Sequence, residues 1–151
     1  MRNRNSKASG FTLIELVITM VIAAILAAVA IPAYSSYVRK AQRTEAKTAL
    51  LDIASLEERY YSTNNQYSQA PADLGYTATT ANTLTLASGN YIITLSAVAP
   101  TPLNPATYSM TANVVAGTNQ AKDTACQSFT LTNQGIQTAS PDTTPPTCWL
   151  R

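Results

Sequence analysis

The sequence predicts an α+β protein. A long N-terminal α-helix, with a protruding apolar half and an amphipathic half, packs on a small antiparallel β-sheet, and a C-terminal disulfide loop closes the chain. Three observations predict it. From Phe11 to Ile31 there are 21 residues with one charge among them; residues 39–61 repeat apolar side chains every three or four positions; and residues 91–132 alternate apolar and polar side chains between proline- and glycine-rich breaks.

The apolar run comes first. As a helix, Phe11 to Ile31 would extend roughly 32 Å against a bilayer core of about 30 Å, so it can span a membrane. Its one charge, Glu15, costs on the order of 2.5 to 3.5 kcal/mol in that setting unless it is paired. A cut after Gly10 would free an α-amino group on Phe11, with an ordinary pKa near 8, and so create a cation four residues from the carboxylate. The carboxylate can equally reach the amine of a neighbouring copy, which would make Glu15 a register device between identical helices.

Pro32 removes one backbone donor and is expected to kink the helix without ending it, because no loop composition follows. Ala46, Ala49, Leu50, Ile53, Leu56 and Tyr60 then form an apolar stripe, while Arg43, Lys47, Asp52, Glu57, Glu58 and Arg59 are read as a solvated charged face. One helix from Phe11 to Tyr61 would be about 76 Å long.

Ser62 to Asn90 is rich in Thr, Ala, Asn and Ser, with Pro71, Gly75 and Gly89 as breakers. It is expected to be a long loop with at most a short strand at Thr83 to Ala87. Tyr91 to Ala99 and Tyr108 to Val114 read as two antiparallel strands, joined by a stiff connection through Pro100, Pro102 and Pro105. Ala125 to Thr132 reads as a third strand whose buried face is set by Phe129 and Leu131. A sheet of three or four strands would cover the helix stripe.

The tail from Asn133 to Arg151, with Gly135 and the run Pro141-Asp142-Thr143-Thr144-Pro145-Pro146, is expected to be a loop too poor in apolar residues to bury itself. Cys126 and Cys148 are the only cysteines. An isolated pair in a small domain reads as a disulfide made in an oxidising compartment, which would place this domain outside the cytoplasm. The charge count alone leaves orientation a tie, with Arg2, Arg4 and Lys7 before the apolar run and Arg39, Lys40 and Arg43 after it.

The motif Lys7-Ala8-Ser9-Gly10-Phe11-Thr12-Leu13-Ile14-Glu15, followed by an apolar helix and Pro32, resembles the class III leader of the type IV pilin family. The resemblance joins a short basic leader, Gly before Phe, and Glu at the fifth mature position. It implies removal of residues 1–10 by a prepilin peptidase cutting between Gly10 and Phe11, N-methylation of Phe11, and filament assembly by the helix, with Glu15 pairing to the Phe11 amine of an adjacent subunit. Residues 11–38 would be the transmembrane and filament-core helix, and residues 39–151 the periplasmic, later extracellular, domain. The implied partners are other pilins in a helical filament, the inner-membrane pilus assembly machinery, and the membrane before assembly. A C-terminal disulfide loop is usual in the family, and residues 62–90 match its variable loop. Cys148-Trp149 and the Glu58-Arg59-Tyr60-Tyr61 segment with Tyr67 are similar to minor pilins of the PilE type.

Two plainer readings stand beside it. One is a secretory signal peptide cut after Ala30 at Ala28-Val29-Ala30, against which Glu15 and the continuing helical pattern argue. The other is a membrane anchor with an incidental Glu15.

Composition narrows the function classes. The chain has 151 residues and a formal charge of +2, but losing Arg2, Arg4 and Lys7 would leave seven basic against eight acidic residues. Histidine is absent, there is no C-x-x-C or glycine-rich phosphate loop, and Asp73, Asp123 and Asp142 are scattered in sequence, so no catalytic or metal site and no cofactor is expected. Lys122 is the only basic residue between Tyr60 and Leu150, so there is no strong nucleic-acid signature. The leading expectation is a minor pilin supporting pilus biogenesis, adhesion and twitching. The alternatives are a type II secretion pseudopilin, against which the disulfide and the missing calcium-type ligand run argue, and a tip-located adhesin or DNA-uptake subunit.

Overall fold

The structure, a computed structural model, describes residues 11–141 and 147–150. The leader expected at residues 1–10, with Gly10, and the run 142–146 lie outside the described residues. By its contacts the chain divides into two units, Met1–Tyr37 and Val38–Arg151. Helix α1, Leu13–Asn64, contributes to both and contains Pro32 without ending there.

The first unit is the apolar part of α1. Thr12 and Glu15 have the spacing of a capping box, and the Glu15 N–H donates to Thr12 Oγ1 at 3.3 Å. Every residue from Phe11 to Tyr34 is exposed. Within this stretch Thr19 satisfies its hydroxyl on the Leu16 carbonyl at 2.9 Å.

The second unit holds the core. Strands β1 (Thr83–Thr85), β2 (Tyr91–Val98), β3 (Thr107–Val114), β4 (Ser128–Thr132) and β5 (Gln137–Ser140) form one antiparallel meander in that order. Register places Leu84, Ile93, Ala112, Phe129 and Ala139 in one buried row, one residue from each strand. Ala112, between Ile93 and Phe129, leaves room for the larger side chains on either side. A second row joins Leu95, Met110 and Leu131. Ala46, Leu50 and Ile53 of α1 are fully buried in the same core, and burying a side chain such as Ile53 contributes about 1.5 to 3 kcal/mol.

Several expectations need correcting. The sheet has five strands, because the tail read as loop supplies β5 and the short helix α2 (Thr147–Leu150). The tail does bury apolar surface: Trp149 stands edge-on to Phe129 at 5.8 Å and donates its indole N–H to the Thr138 carbonyl at 2.7 Å. The third strand begins at Ser128 instead of Ala125, and Cys126 is buried just outside it. Residues 62–90 are not one long loop. α1 runs on to Asn64, a 3-10 turn forms at Pro71–Leu74 and β1 at Thr83–Thr85, with Pro71, Leu74 and Leu84 buried. Gly75 ends the 3-10 turn at φ 86, a left-handed position that glycine occupies without steric cost.

Candidate functional site

Three arrangements could carry function, one in the first unit and two in the second. The first is the bare apolar stretch. Phe11 is 82% exposed, and Glu15 sits in the first helical turn as its only charge. This is the one helix among the described residues that is long and apolar enough to cross a membrane, judged by length and composition.

The second arrangement ties α1 to the β3–β4 connection. The Arg43 guanidinium donates from Nε to Asp123 Oδ2 and from Nη2 to Asp123 Oδ1, both at 2.6 Å. Gln120 Nε2 donates to Asp123 Oδ2 and to the Tyr91 hydroxyl, each at 2.9 Å. The bonds to Asp123 hold Arg43 above its ordinary pKa, and burial pushes the Tyr91 phenol up to about 12. One turn along, Lys47 Nζ donates to the Cys148 and Trp149 carbonyls at 3.3 Å; burial, with Arg43 nearby, lowers its pKa. Cys126 and Cys148 are disulfide-bonded with Cα atoms 5.9 Å apart, inside the ordinary range for a bridge. α1, the β3–β4 connection and α2 are thereby held together by an ion pair, two cationic hydrogen bonds and a covalent link.

The third arrangement clasps residues 65–75 to α1. Glu57 is fully buried: Oε2 accepts from the Ser68 N–H at 2.9 Å, while Oε1 is buried without a partner. Ser68 Oγ donates to Asp73 Oδ2 at 2.6 Å. Burial raises the Glu57 pKa, the Ser68 N–H opposes the rise, and Glu58 and Asp73 add to it. Tyr67 stacks on Tyr61 at 4.7 Å and meets Tyr108 edge-on at 4.7 Å.

The charged face of α1 is therefore only partly a solvated one. Arg43, Lys47 and Glu57 turn inward, and sequence spacing could not separate them from the exposed Asp52, Glu58 and Arg59. Asp123, scattered in sequence, is 4% exposed and finds its partner 80 residues away. Among the described residues no group of three or more His, Cys, Asp or Glu could hold a metal ion.

Two known protein families match parts of the chain. Residues 5–31 match the prokaryotic N-terminal methylation motif, and residues 32–130 match the family described as type IV minor pilin ComP, DNA uptake sequence receptor. The type IV wide pilus major component PilA4 of Thermus thermophilus is 33% identical over 96% of this chain and 100% of its own length. The type IV major pilin protein PilA of Myxococcus xanthus is 36% identical over 48% of this chain and 33% of its own length. For the type IV major pilin protein PilE1 of Neisseria gonorrhoeae the figures are 39% identity, 47% and 43%. The chain thus spans less than half the length of the Myxococcus and Neisseria relatives. With a pilin family matched across about two thirds of its residues and a relative matched end to end at 33% identity, the chain belongs to the type IV pilin family.

Proposed function

We propose that the chain is a minor subunit of a type IV pilus, supporting pilus biogenesis, adhesion and twitching. Pilins are structural subunits and not enzymes. A prepilin peptidase removes residues 1–10 and Phe11 becomes N-methylated. Residues 11–38 hold the subunit in the inner membrane, with residues 39–151 on the periplasmic side, until the assembly machinery packs the helix among those of other pilins.

The observation that carries this reading is the exposure of every residue from Phe11 to Tyr34. Water does not tolerate so much bare apolar helix, whereas a bilayer and a bundle of like helices both cover it. Glu15 then has a partner of opposite charge in the Phe11 amine of a neighbour, which offsets its burial. The match to a minor-pilin family over residues 32–130 favours the minor class, although the relatives named above are major pilins.

The test is mass spectrometry of sheared surface filaments and of membranes from the native cell, with the N-terminal peptide sequenced and the subunit quantified. A terminus at methylated Phe11, with low stoichiometry in filaments, is the expected result. A terminus at Ile31, or an intact leader on a protein confined to membranes, overturns it. Normal filaments lacking the subunit, together with a defect in protein secretion, would point to the pseudopilin instead.

A second reading, reception of DNA on the filament, is favoured by the description of the matched family. The cations available for it are few. Lys40, Arg59 and Lys122 are not buried, but Arg43 is engaged with Asp123 and Lys47 with the α2 carbonyls. Titrating full-length mature protein with duplex DNA across salt concentrations decides it. Binding with a log–log salt slope of about −2 or steeper supports reception, since each phosphate contact contributes roughly −0.9. No binding at low salt removes it.

A further inference from the structure

The connection between β2 and β3 is a preformed apolar knob. Thr101 and Asn104 close a tight turn: the Thr101 N–H donates to the Asn104 carbonyl at 2.8 Å, and the Asn104 N–H donates to the Thr101 carbonyl at 3.3 Å and to Thr101 Oγ1 at 3.1 Å. Pro102 and Leu103 stand at its apex. Leu103 is 91% exposed, more than any other large apolar side chain among the described residues, those of the bare helix included. Pro100, Pro102 and Pro105 restrict the backbone, so little conformational entropy is lost when the knob docks. No charged residue lies between Tyr91 and Ala121.

At the other end of β2 lies a mostly apolar groove of about 530 Å³, between α1 and the β1–β2 turn. Its walls include Thr48, Ala49, Leu86 and Ala87, and Tyr76 closes one side by donating its hydroxyl to Asp52. The Leu86 N–H bonds the Tyr91 carbonyl at the start of β2, and the knob follows Val98 at its end. Eight strand residues separate the two features by roughly 25 Å, so one copy's knob cannot reach its own groove.

We propose that the Pro102–Leu103 knob of one copy seats in the Ala49–Leu86–Ala87 groove of the next. This rests on the filament reading and specifies a contact within it. The chain itself supplies both halves, at opposite ends of one strand, and such a heterologous contact runs from copy to copy wherever its rotation does not close a ring, as in a helical filament. The carboxylates of Glu45 and Asp52 at the groove repel nucleic-acid phosphate and anionic lipid and leave a charge-free knob unopposed. A two-residue knob buries far less than the roughly 1,000 Å² of a stable pairwise interface. It therefore acts where helix packing or crowding in the membrane already holds copies together and raises their effective concentration.

The test is cross-linking of full-length protein in its native cell. Leu103→Cys and Ala87→Cys are introduced together and singly, and membranes and sheared filaments are oxidised and run on non-reducing gels. Cys126 and Cys148 are already bonded to each other and buried, so they do not compete. A ladder of dimers and higher species from the double variant, above either single variant, is expected. No ladder in either fraction overturns the contact, as does a double variant that stops at the dimer while Leu103→Cys alone gives an equally strong dimer band, which would mean that knobs meet each other. A ladder in membranes from a protein absent from filaments keeps the contact and sinks the filament reading. Leu103→Asp, exposed and away from the core, is expected to fold normally and, when carried by both the tagged and the untagged copy, to reduce their co-isolation about tenfold; unchanged co-isolation of two such copies also overturns the contact.

Discussion

Arg43 and Asp123, 80 residues apart in sequence, meet through two parallel 2.6 Å hydrogen bonds. The pair fastens α1 to the β3–β4 connection, and its planar geometry is one that lysine cannot reproduce. Removing one partner strands a charge in a site where Asp123 is 4% exposed. Arg43→Ala or Asp123→Ala is expected to lower stability by about 3 to 5 kcal/mol. Arg43→Met with Asp123→Leu should lose much less, because neither charge is left unpaired. Urea unfolding of the mature protein in detergent checks this, and a double variant as unstable as the singles would refute it.

The disulfide is expected to hold α2 in place. Trp149 is the only tryptophan, so its fluorescence reports this docking alone. Cys126→Ser with Cys148→Ser should cost about 3 kcal/mol by the loop-entropy argument. Trp149 emission should move to longer wavelength at lower urea than the loss of helix signal. Coincident transitions at the native midpoint would count against it.

Glu57 is expected to make stability fall as pH rises through its raised pKa. Its folded pKa is raised above the ordinary 4.5, so between those two values the folded state holds a proton that the unfolded chain has released. The stabilisation is full below the ordinary value and is lost as pH climbs through the folded one. Glu57→Gln keeps an acceptor for the Ser68 N–H and cannot ionise. It should flatten this part of the profile, which urea titrations at several pH values would show.

Burial pushes the hydroxyls of Tyr67, Tyr76, Tyr91 and Tyr108 up to about 12, four of the eight tyrosines. The unfolded chain deprotonates first, near pH 10, so stability should fall from there upward. Ultraviolet titration should show about half the tyrosine absorbance change delayed until near pH 12 or until unfolding. A single transition near 10 in folded protein would contradict the burial.

Glu15→Leu removes the only charge from the apolar stretch. The proposed assembly then requires opposite effects in two fractions: firmer membrane retention, since a cost of about 2.5 to 3.5 kcal/mol is relieved, and loss from sheared filaments. Immunoblots of both fractions read this directly. Normal recovery in filaments would show that Glu15 has no part in packing.

Much of the fold is legible because it is written in local periods. Leu50 and Ile53 recur at helical spacing, Tyr91, Ile93 and Leu95 alternate, and all five are buried. β5 escaped this reading: Gln137–Ser140 contributes one buried residue, Ala139, and a strand with one apolar contact leaves no period to detect. Residues 62–90 escaped it for a related reason. Pro71, Leu74 and Leu84 are each buried singly, with turns between them.

The apolar helix, the place of Glu15 within it, the sheet's central strands and the resemblance to pilins follow from the order of residues alone. Each is a property of neighbouring residues, and backbone geometry converts spacing into a face. The fold as a whole sets which charges of that face turn inward, Arg43, Lys47 and Glu57, and it brings Asp123 to Arg43, Gln120 to Tyr91 and Asp123, and Trp149 to Phe129. Knob and groove likewise belong to the fold, since the length of β2 sets them at opposite ends. A charge is buried when a specific partner can offset its desolvation, and partners 80 residues apart are chosen by topology, which no local pattern records.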